Sequence, residues 1–245
     1  MKEMRLHLYA LCWNEERMLP FFFRHYRPLV ERFVIFDDGS SDGSLELLRS
    51  QPDVEIGHFE RDEDSYVLGA LQFYREAWKA SRGEADWVVV CNVDEHLYHH
   101  DLLGYLSRCR KGGVTAVRAE GYEMVADRFP DEPRCLSDSI VTGTRRERLD
   151  KVAIFDPSAI DEIGYSPGRH VARASGRVVL PNAPEVKLLH YKHLGLDYLV
   201  GRQGELRTRL LPGDVANRYG LQYLKSPDTI RQDFEAVAAA AVIVI

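Results

Sequence analysis

Strand-like runs alternate with helix-period segments through the first half of the chain, and this order predicts an α/β fold with a mostly parallel sheet flanked by helices. Two helix-period segments near the end add C-terminal helices. A third observation concerns the strand ends, three of which are followed by polar clusters. In such sheets, ligands bind outside the carboxyl ends of the strands.

The elements run as follows. Residues 5–13, RLHLYALCW, are a β-rich apolar run. Residues 15–30 place Met18, Leu19, Phe22, Phe23, Tyr26, Leu29 and Val30 at helical spacing. RFVIF (32–36) is a short buried strand, and 41–50 a helix with Ser40 or Ser41 as N-cap. VEIGHF (54–59) is a third strand, and 66–80 a helix ended near Gly83. DWVVVCNV (86–93) is the most continuously apolar strand, and GVTAVRAE (113–120) is another. Residues 121–146, rich in charge and turn formers, are expected to form a long connection over the site. RLDKVAIF (148–155), RVVLP (177–181) and VKLLHYKHL (186–194) read as strands, the last ending in His190. Residues 196–211 and 226–239 read as helices.

The whole chain bounds its chemistry. It has 245 residues, 45% of them hydrophobic and 29% charged, with a net charge of −6. That length suits one domain spanning 1–245. Within it, 1–112 and 113–195 read as two halves, and 196–245 as a C-terminal helical segment. The acidic balance excludes the broad basic footprint of a nucleic-acid binder. Cys12, Cys91, Cys109 and Cys135 show no metal or redox spacing, which suits a reducing, cytoplasmic setting. The N-terminus does not read as a signal peptide, and no apolar run is long enough to span a bilayer. The apolar tail 236–245 is expected to pack on the core, with a second copy of the chain or a membrane surface as alternative contacts.

The strand ends carry the candidate site. Asn14 and Glu15 follow the first strand, Asp37, Asp38, Gly39 and Ser40 the second, and Asp94, Glu95 and His96 the fourth. Asp37 or Asp38 suits hydrogen bonds from a nucleobase or ribose. Asp94, with Asn92 or His96, suits a hard divalent cation such as Mg²⁺ or Mn²⁺, which prefers oxygen ligands and bridges to phosphate. His99 and His100 read as surface residues. His190 and His170 are further histidines with ligand chemistry. Lys151 and Lys192 are the cations chosen to offset a diphosphate.

Four ordered blocks carry a resemblance: WNEERMLPFFFRHY (13–26), IFDDGSSDGS (35–44), VVVCNVDEHL (88–97) and LLHYKHLG (188–195). Together they resemble the family 2 glycosyltransferases, specifically a small bacterial branch with a D-x-D-E-type strand end and a late H-Y motif. The resemblance implies a GT-A-type, Rossmann-like fold, a nucleoside-diphosphate-sugar donor (UDP in most of the family), Mn²⁺ or Mg²⁺, and inverting transfer to an acceptor hydroxyl. It also implies Asn14 and Asp37 in the nucleotide pocket, Asp94 as principal metal carboxylate and His190 as a late ligand. The chain departs from the pattern at Asn92, where the family has a first carboxylate, which implies either weaker metal binding or compensation by Glu95.

Inverting transfer needs a base for the acceptor hydroxyl. Glu123 is the first choice and Glu120 the second, with Asp127 and His170 behind them. Two alternatives compete. A nucleotidyltransferase would want a basic, glycine-rich phosphate loop, where this chain has Trp13-Asn14-Glu15-Glu16. A decayed nucleotide-sugar-binding protein is favoured only by Asn92.

Overall fold

The computed structural model describes residues 4–57, 64–132 and 134–245. The first half contains β1 (Leu6–Cys12), α1 (Leu19–Tyr26), β2 (Arg32–Asp37), α2 (Ser44–Arg49), β3 (Val54–Gly57), α3 (Tyr66–Glu76), β4 (Trp87–Asn92), β5 (Glu95–Tyr98) and α4 (Leu102–Lys111). Then come β6 (Ala116–Ala126), β7 (Thr142–Arg145), β8 (Lys151–Phe155), β9 (Ile160–Glu162), β10 (Ser175–Gly176) and β11 (Lys187–Leu194). The chain ends in α5 (Leu196–Thr208), α6 (Pro212–Ala216), α7 (Pro227–Ala239) and β12 (Val242–Ile243).

Among the described residues one ten-stranded sheet runs β12-β7-β6-β8-β4-β1-β2-β3, with β11 on β6 and β5 on β11. β3, β2, β1 and β4 are mutually parallel. β5, β7 and β8 oppose that direction, and the other seven strands share it. The sheet is therefore large, mostly parallel and flanked by helices, as the alternation of segments predicts.

Burial on both faces explains the continuous apolar runs. Along β1, Leu6, Leu8, Ala10 and Cys12 pack with the α1 and α4 side chains. Tyr9 and Leu11 pack on the opposite face with Ala70, Leu71, Phe73 and Tyr74 of α3. β4 splits in the same way, with Trp87, Val89 and Cys91 to one face and Val88 and Val90 to the other. Period-2 side chains meeting apolar layers on both sides leave no polar stripe in the sequence.

Several expectations change. The predicted strand 113–120 is β6 and continues to Ala126, into the stretch read as a long connection. The 177–181 run is not a strand; Val179 bonds to Thr115 and Ala116, but no ladder follows, and β10 is the short pair just before it. His190 lies inside β11, not at its end. Gly43, not Ser40 or Ser41, is the N-cap of α2. The third strand ends at Gly57, and its predicted last two positions, 58 and 59, lie outside the described residues. β5, α4, α6 and β12 have no counterpart in the sequence reading. For α4 the signals are Asp101, which caps Gly104 N–H, and Leu102, Tyr105, Leu106 and Cys109 at helical spacing.

The tail packs on its own chain. Val242 and Ile243 pair antiparallel with β7, and Val244 is buried in the core. Among the described residues, no helix is long and apolar enough to cross a membrane.

Candidate functional site

The central strands bring the three polar clusters together. β4, β1 and β2 are adjacent, and the register sets Leu11 beside Asn92 and Cys12 beside Asp37. Asn14, Asp37 and Asp94 therefore share the carboxyl edge of neighbouring parallel strands.

The first two clusters are stitched to each other. Asn14 has φ 50°, the left-handed conformation asparagine tolerates better than most residues. Its Oδ1 accepts from Ser41 N–H at 2.7 Å, and its backbone N–H donates to Ser40 Oγ at 2.9 Å. Glu15 N–H donates to Ser44 Oγ at 2.7 Å. Asp37 Oδ2 accepts from the N–H groups of Gly39 and Ser40, both at 3.1 Å, while its Oδ1 is buried with no protein partner. Gly39 has φ 72°, which the tight turn after β2 requires.

The third cluster divides at Val93. Asp94, a quarter exposed, receives a hydrogen bond from His190 Nε2 at 3.1 Å. His190 Nδ1 bonds Glu123 Oε2 at 3.0 Å, and His193 Nδ1 lies 3.0 Å from the same oxygen. This chain exists because His190 on β11 pairs with Glu123 on β6 in register. Burial alone would lower the His190 pKa, but carboxylates on both sides raise it to about 10. Burial would raise Asp94 and Glu123; His190 overrides it and holds both below the usual carboxylate range.

Glu95 faces the other way. It is sealed between Lys151 and Arg169, and these three side chains are 1–4% exposed. Arg169 also donates to Val90 C=O at 2.6 Å and to Asn92 Oδ1 at 3.1 Å. Tyr74 O–H donates to the same Asn92 oxygen at 2.6 Å. Asn92 is thus a hinge of a buried network, accepting from Tyr74 and Arg169.

Four expected site residues change place accordingly. Lys151 is spent on Glu95 and does not face a diphosphate. Asn92 is spent within the same network. His96 is fully buried, stacked on His25 with ring centroids 4.6 Å apart, and packed by Phe22, Tyr26 and Tyr191. Burial pushes His96 well below the usual histidine range and His25 down to about 4, so both rings are neutral, His96 in the core and His25 half-buried against it. Glu120 lies beside Arg145 at 4.0 Å, three residues from Glu123 and on the other side of the pleat.

Glu123 is buried behind His190, with Arg148 3.7 Å away, and does not open onto the strand edge. Asp127 and His170 are exposed outside this cluster. Lys192, lowered by burial, lies 6.0 Å from the Tyr223 ring.

Helix α5 supplies what the sequence reading missed. Arg202 donates to the carbonyls of Trp13 at 2.9 Å and Asn14 at 3.0 Å and pairs with the Glu15 carboxylate. Arg209, at the end of the same helix, pairs with Asp38. Tyr198, Arg202, Glu205 and Arg209 are spaced i, i+4, i+7 and i+11, one helical face, and that spacing is the signal by which they could have been found. Between α5 and the loop after β1 lies a cavity of about 350 Å³ lined by Asn14, Glu15, Arg17, Asp42, Tyr198 and Arg202 among others. Burial raises Glu15 to about 7, with Arg202 opposing that shift and Asp94 adding to it.

A hard cation fits this edge only as a shared ion. Asp94 offers an oxygen ligand, but His190 has both ring nitrogens engaged by carboxylates and His96 is in the core. Among the described residues no group of three or more His, Cys, Asp or Glu side chains is arranged to hold a metal. Mg²⁺ commonly takes one or two carboxylates plus phosphate oxygens and water, and Asp94 meets that requirement.

No family model and no curated protein matches the chain. Among solved structures it is similar to residues 1–349 of S. aureus TarS, at 10% identity and a TM-score of 0.41, over 84% of this chain and 65% of that one. A second S. aureus TarS structure aligns at 9% identity and a TM-score of 0.39, over 94% and 43%. A mycobacterial protein aligns at 15% identity and a TM-score of 0.35, over 48% and 41%. The chain thus spans less than two thirds of each of these structures, and likeness this loose leaves the function to the site itself.

Proposed function

We propose that the chain is a glycosyltransferase that takes a sugar from a nucleoside-diphosphate donor, in keeping with its four blocks resembling family 2. One observation carries the reading. Three neighbouring parallel strands end in Asn14, Asp37 and Asp94 at one sheet edge, where α/β sheets bind nucleotides. Asp37 Oδ1, buried and without a protein partner, is an acceptor suited to a ribose hydroxyl or a base N–H.

In this reading Asp94 would hold Mn²⁺ or Mg²⁺, and the ion would supply Lewis-acid stabilisation of the departing phosphate. His190 keeps Asp94 ionised and oriented, and Glu123 keeps His190 charged. Glu123 thereby acts through His190 and not as the base. The acceptor is a hydroxyl compound that approaches the same edge. Asn92 no longer speaks for a decayed site, because its amide is occupied by Tyr74 and Arg169.

A thermal-shift panel of nucleotides and nucleotide sugars, with and without Mn²⁺, tests the reading. A ligand that binds the folded state raises its apparent melting temperature. The expected result is a metal-dependent shift with one nucleoside diphosphate and its sugar, abolished in Asp94→Ala. A shift that ignores both the metal and Asp94→Ala sinks the assignment.

A further inference from the structure

Arg209 occupies an unusual place. Its guanidinium carbon lies 4.2 Å from the ring centroid of Trp13 and 3.9 Å from that of Tyr66, and the group pairs with the Asp38 carboxylate. Trp13 follows β1, Asp38 follows β2 and Tyr66 opens α3, so three separate elements frame one space at the nucleotide edge of the sheet. The side chains of Arg209 and Asp38 are 8% and 1% exposed. Two aromatic faces and a carboxylate suit any flat group that carries N–H donors. A guanidinium is one such group, and a nucleobase is another: it stacks on aromatic rings, and its N–H finds the carboxylate.

We propose that in the resting protein Arg209 fills the space a nucleobase takes, so that nucleotide binding expels Arg209 from between Trp13, Tyr66 and Asp38. The inference rests on the nucleotide-binding reading above and adds to it a built-in competitor. The surrounding anchors permit such a movement. On one side Arg202 ties α5 to the carbonyls of Trp13 and Asn14. On the other, Asp214 of α6 is fully buried and bonds Ser65 Oγ at 2.6 Å and the N–H groups of Tyr66 and Val67 at the start of α3. The stretch from Thr208 to Leu211 lies between these two ties and carries Arg209.

Expulsion has a cost that selects the ligand. On leaving, Arg209 gives up its ion pair with Asp38 and its place against the two rings. A ligand that returns a donor to Asp38 as well as a flat face to Trp13 and Tyr66 offsets that loss. A free diphosphate or a sugar phosphate offers neither, so the base has to be present for the space to open.

The test compares UDP and GDP binding, in Mg²⁺ buffer, to the whole protein and to Arg209→Ala and Arg209→Gln by calorimetry. Removing an occupant that keeps the binding-competent state scarce tightens apparent affinity by the inverse of that state's population, and about tenfold or more is expected for at least one nucleotide. The unaltered protein gives a second readout. Trypsin cuts after arginine, and cleavage after Arg209 should accelerate when UDP or GDP is added, whereas pyrophosphate leaves it unchanged. Equal or weaker binding by both variants, or protection of Arg209 by nucleotide, overturns the proposal while leaving the nucleotide reading intact. If neither the parent protein nor either variant binds UDP or GDP, the nucleotide reading fails and the inference fails with it.

Discussion

Asp94 and Glu95 are consecutive acids that meet opposite fates. Asp94 opens to the strand edge, a quarter exposed, and shares His190 with Glu123. Glu95 turns to the other side of the sheet and is sealed between Lys151 and Arg169. Both clusters are built from carboxylates and cations. What separates them is access: one can exchange a partner for a ligand, and the other cannot. Charge composition does not mark a site; a charged group with an open side does.

The largest expected effect breaks the sealed cluster. Glu95→Ala leaves Lys151 and Arg169 buried without their carboxylate, and loss of one member of a buried ion pair costs about 3–5 kcal/mol. Urea unfolding should show that loss of stability, if the protein folds at all. Asp94→Asn should do the reverse. Its stability loss should be clearly smaller, because Asp94 is a quarter exposed and Glu123 stays beside His190, while turnover should fall by about 100-fold or more, the scale of losing one group that stabilises developing charge. Equal stability losses in the two variants would erase the distinction between the clusters. Chelation by EDTA should mimic Asp94→Asn in turnover and leave unfolding unchanged.

The histidines repeat the contrast. His190 stands between two carboxylates and is raised to about 10, whereas His25 stacks on His96 in the core and is lowered to about 4. A histidine whose folded pKa lies below its unfolded value must be neutral in the folded state. Stability is therefore full above pH 6.5 and falls as pH drops from about 6.5 towards 4, by about 1.4 kcal/mol per pH unit for each such group. His25 and His96 together should give a steep acid limb in denaturant titrations at pH 7, 6 and 5. His25→Gln should flatten it by about half, and an unchanged slope would show that acid sensitivity arises elsewhere.

Much of this was legible in sequence because it is local. The apolar runs 5–13, 32–36 and 86–93 give strands, and the residues that follow them give the edge on which Asn14, Asp37 and Asp94 meet. The side chains facing each other were not legible, because they depend on pairing between distant strands. His190 reaches Glu123 through the β11–β6 register, across 67 positions of sequence. Lys151 reads as a spare cation until β8 is packed against β4 and its charge is found on Glu95. Likewise His96 follows Asp94 by two residues, yet β5 turns it into the core beside His25. Arg202 and Arg209 were missed for another reason. A helix read only for its apolar spacing hides a polar face, and here that face is the one laid over the strand ends.

The smallest effect bears on Glu120 and Glu123, which the sequence ranks second and first as the base. Three residues apart on one strand, they point to opposite sides. Glu120 is a third exposed and 4.0 Å from Arg145, a spacing at which surface pairs contribute little. Glu120→Gln should therefore change stability by no more than about 0.5 kcal/mol and leave turnover unaltered. Glu123→Gln removes one of the two carboxylates that hold His190 charged, so its effect should appear in turnover. If instead Glu120→Gln is the variant that loses turnover, the acceptor stands on the outer side of β6, and the edge defined by Asp94 is not where transfer occurs.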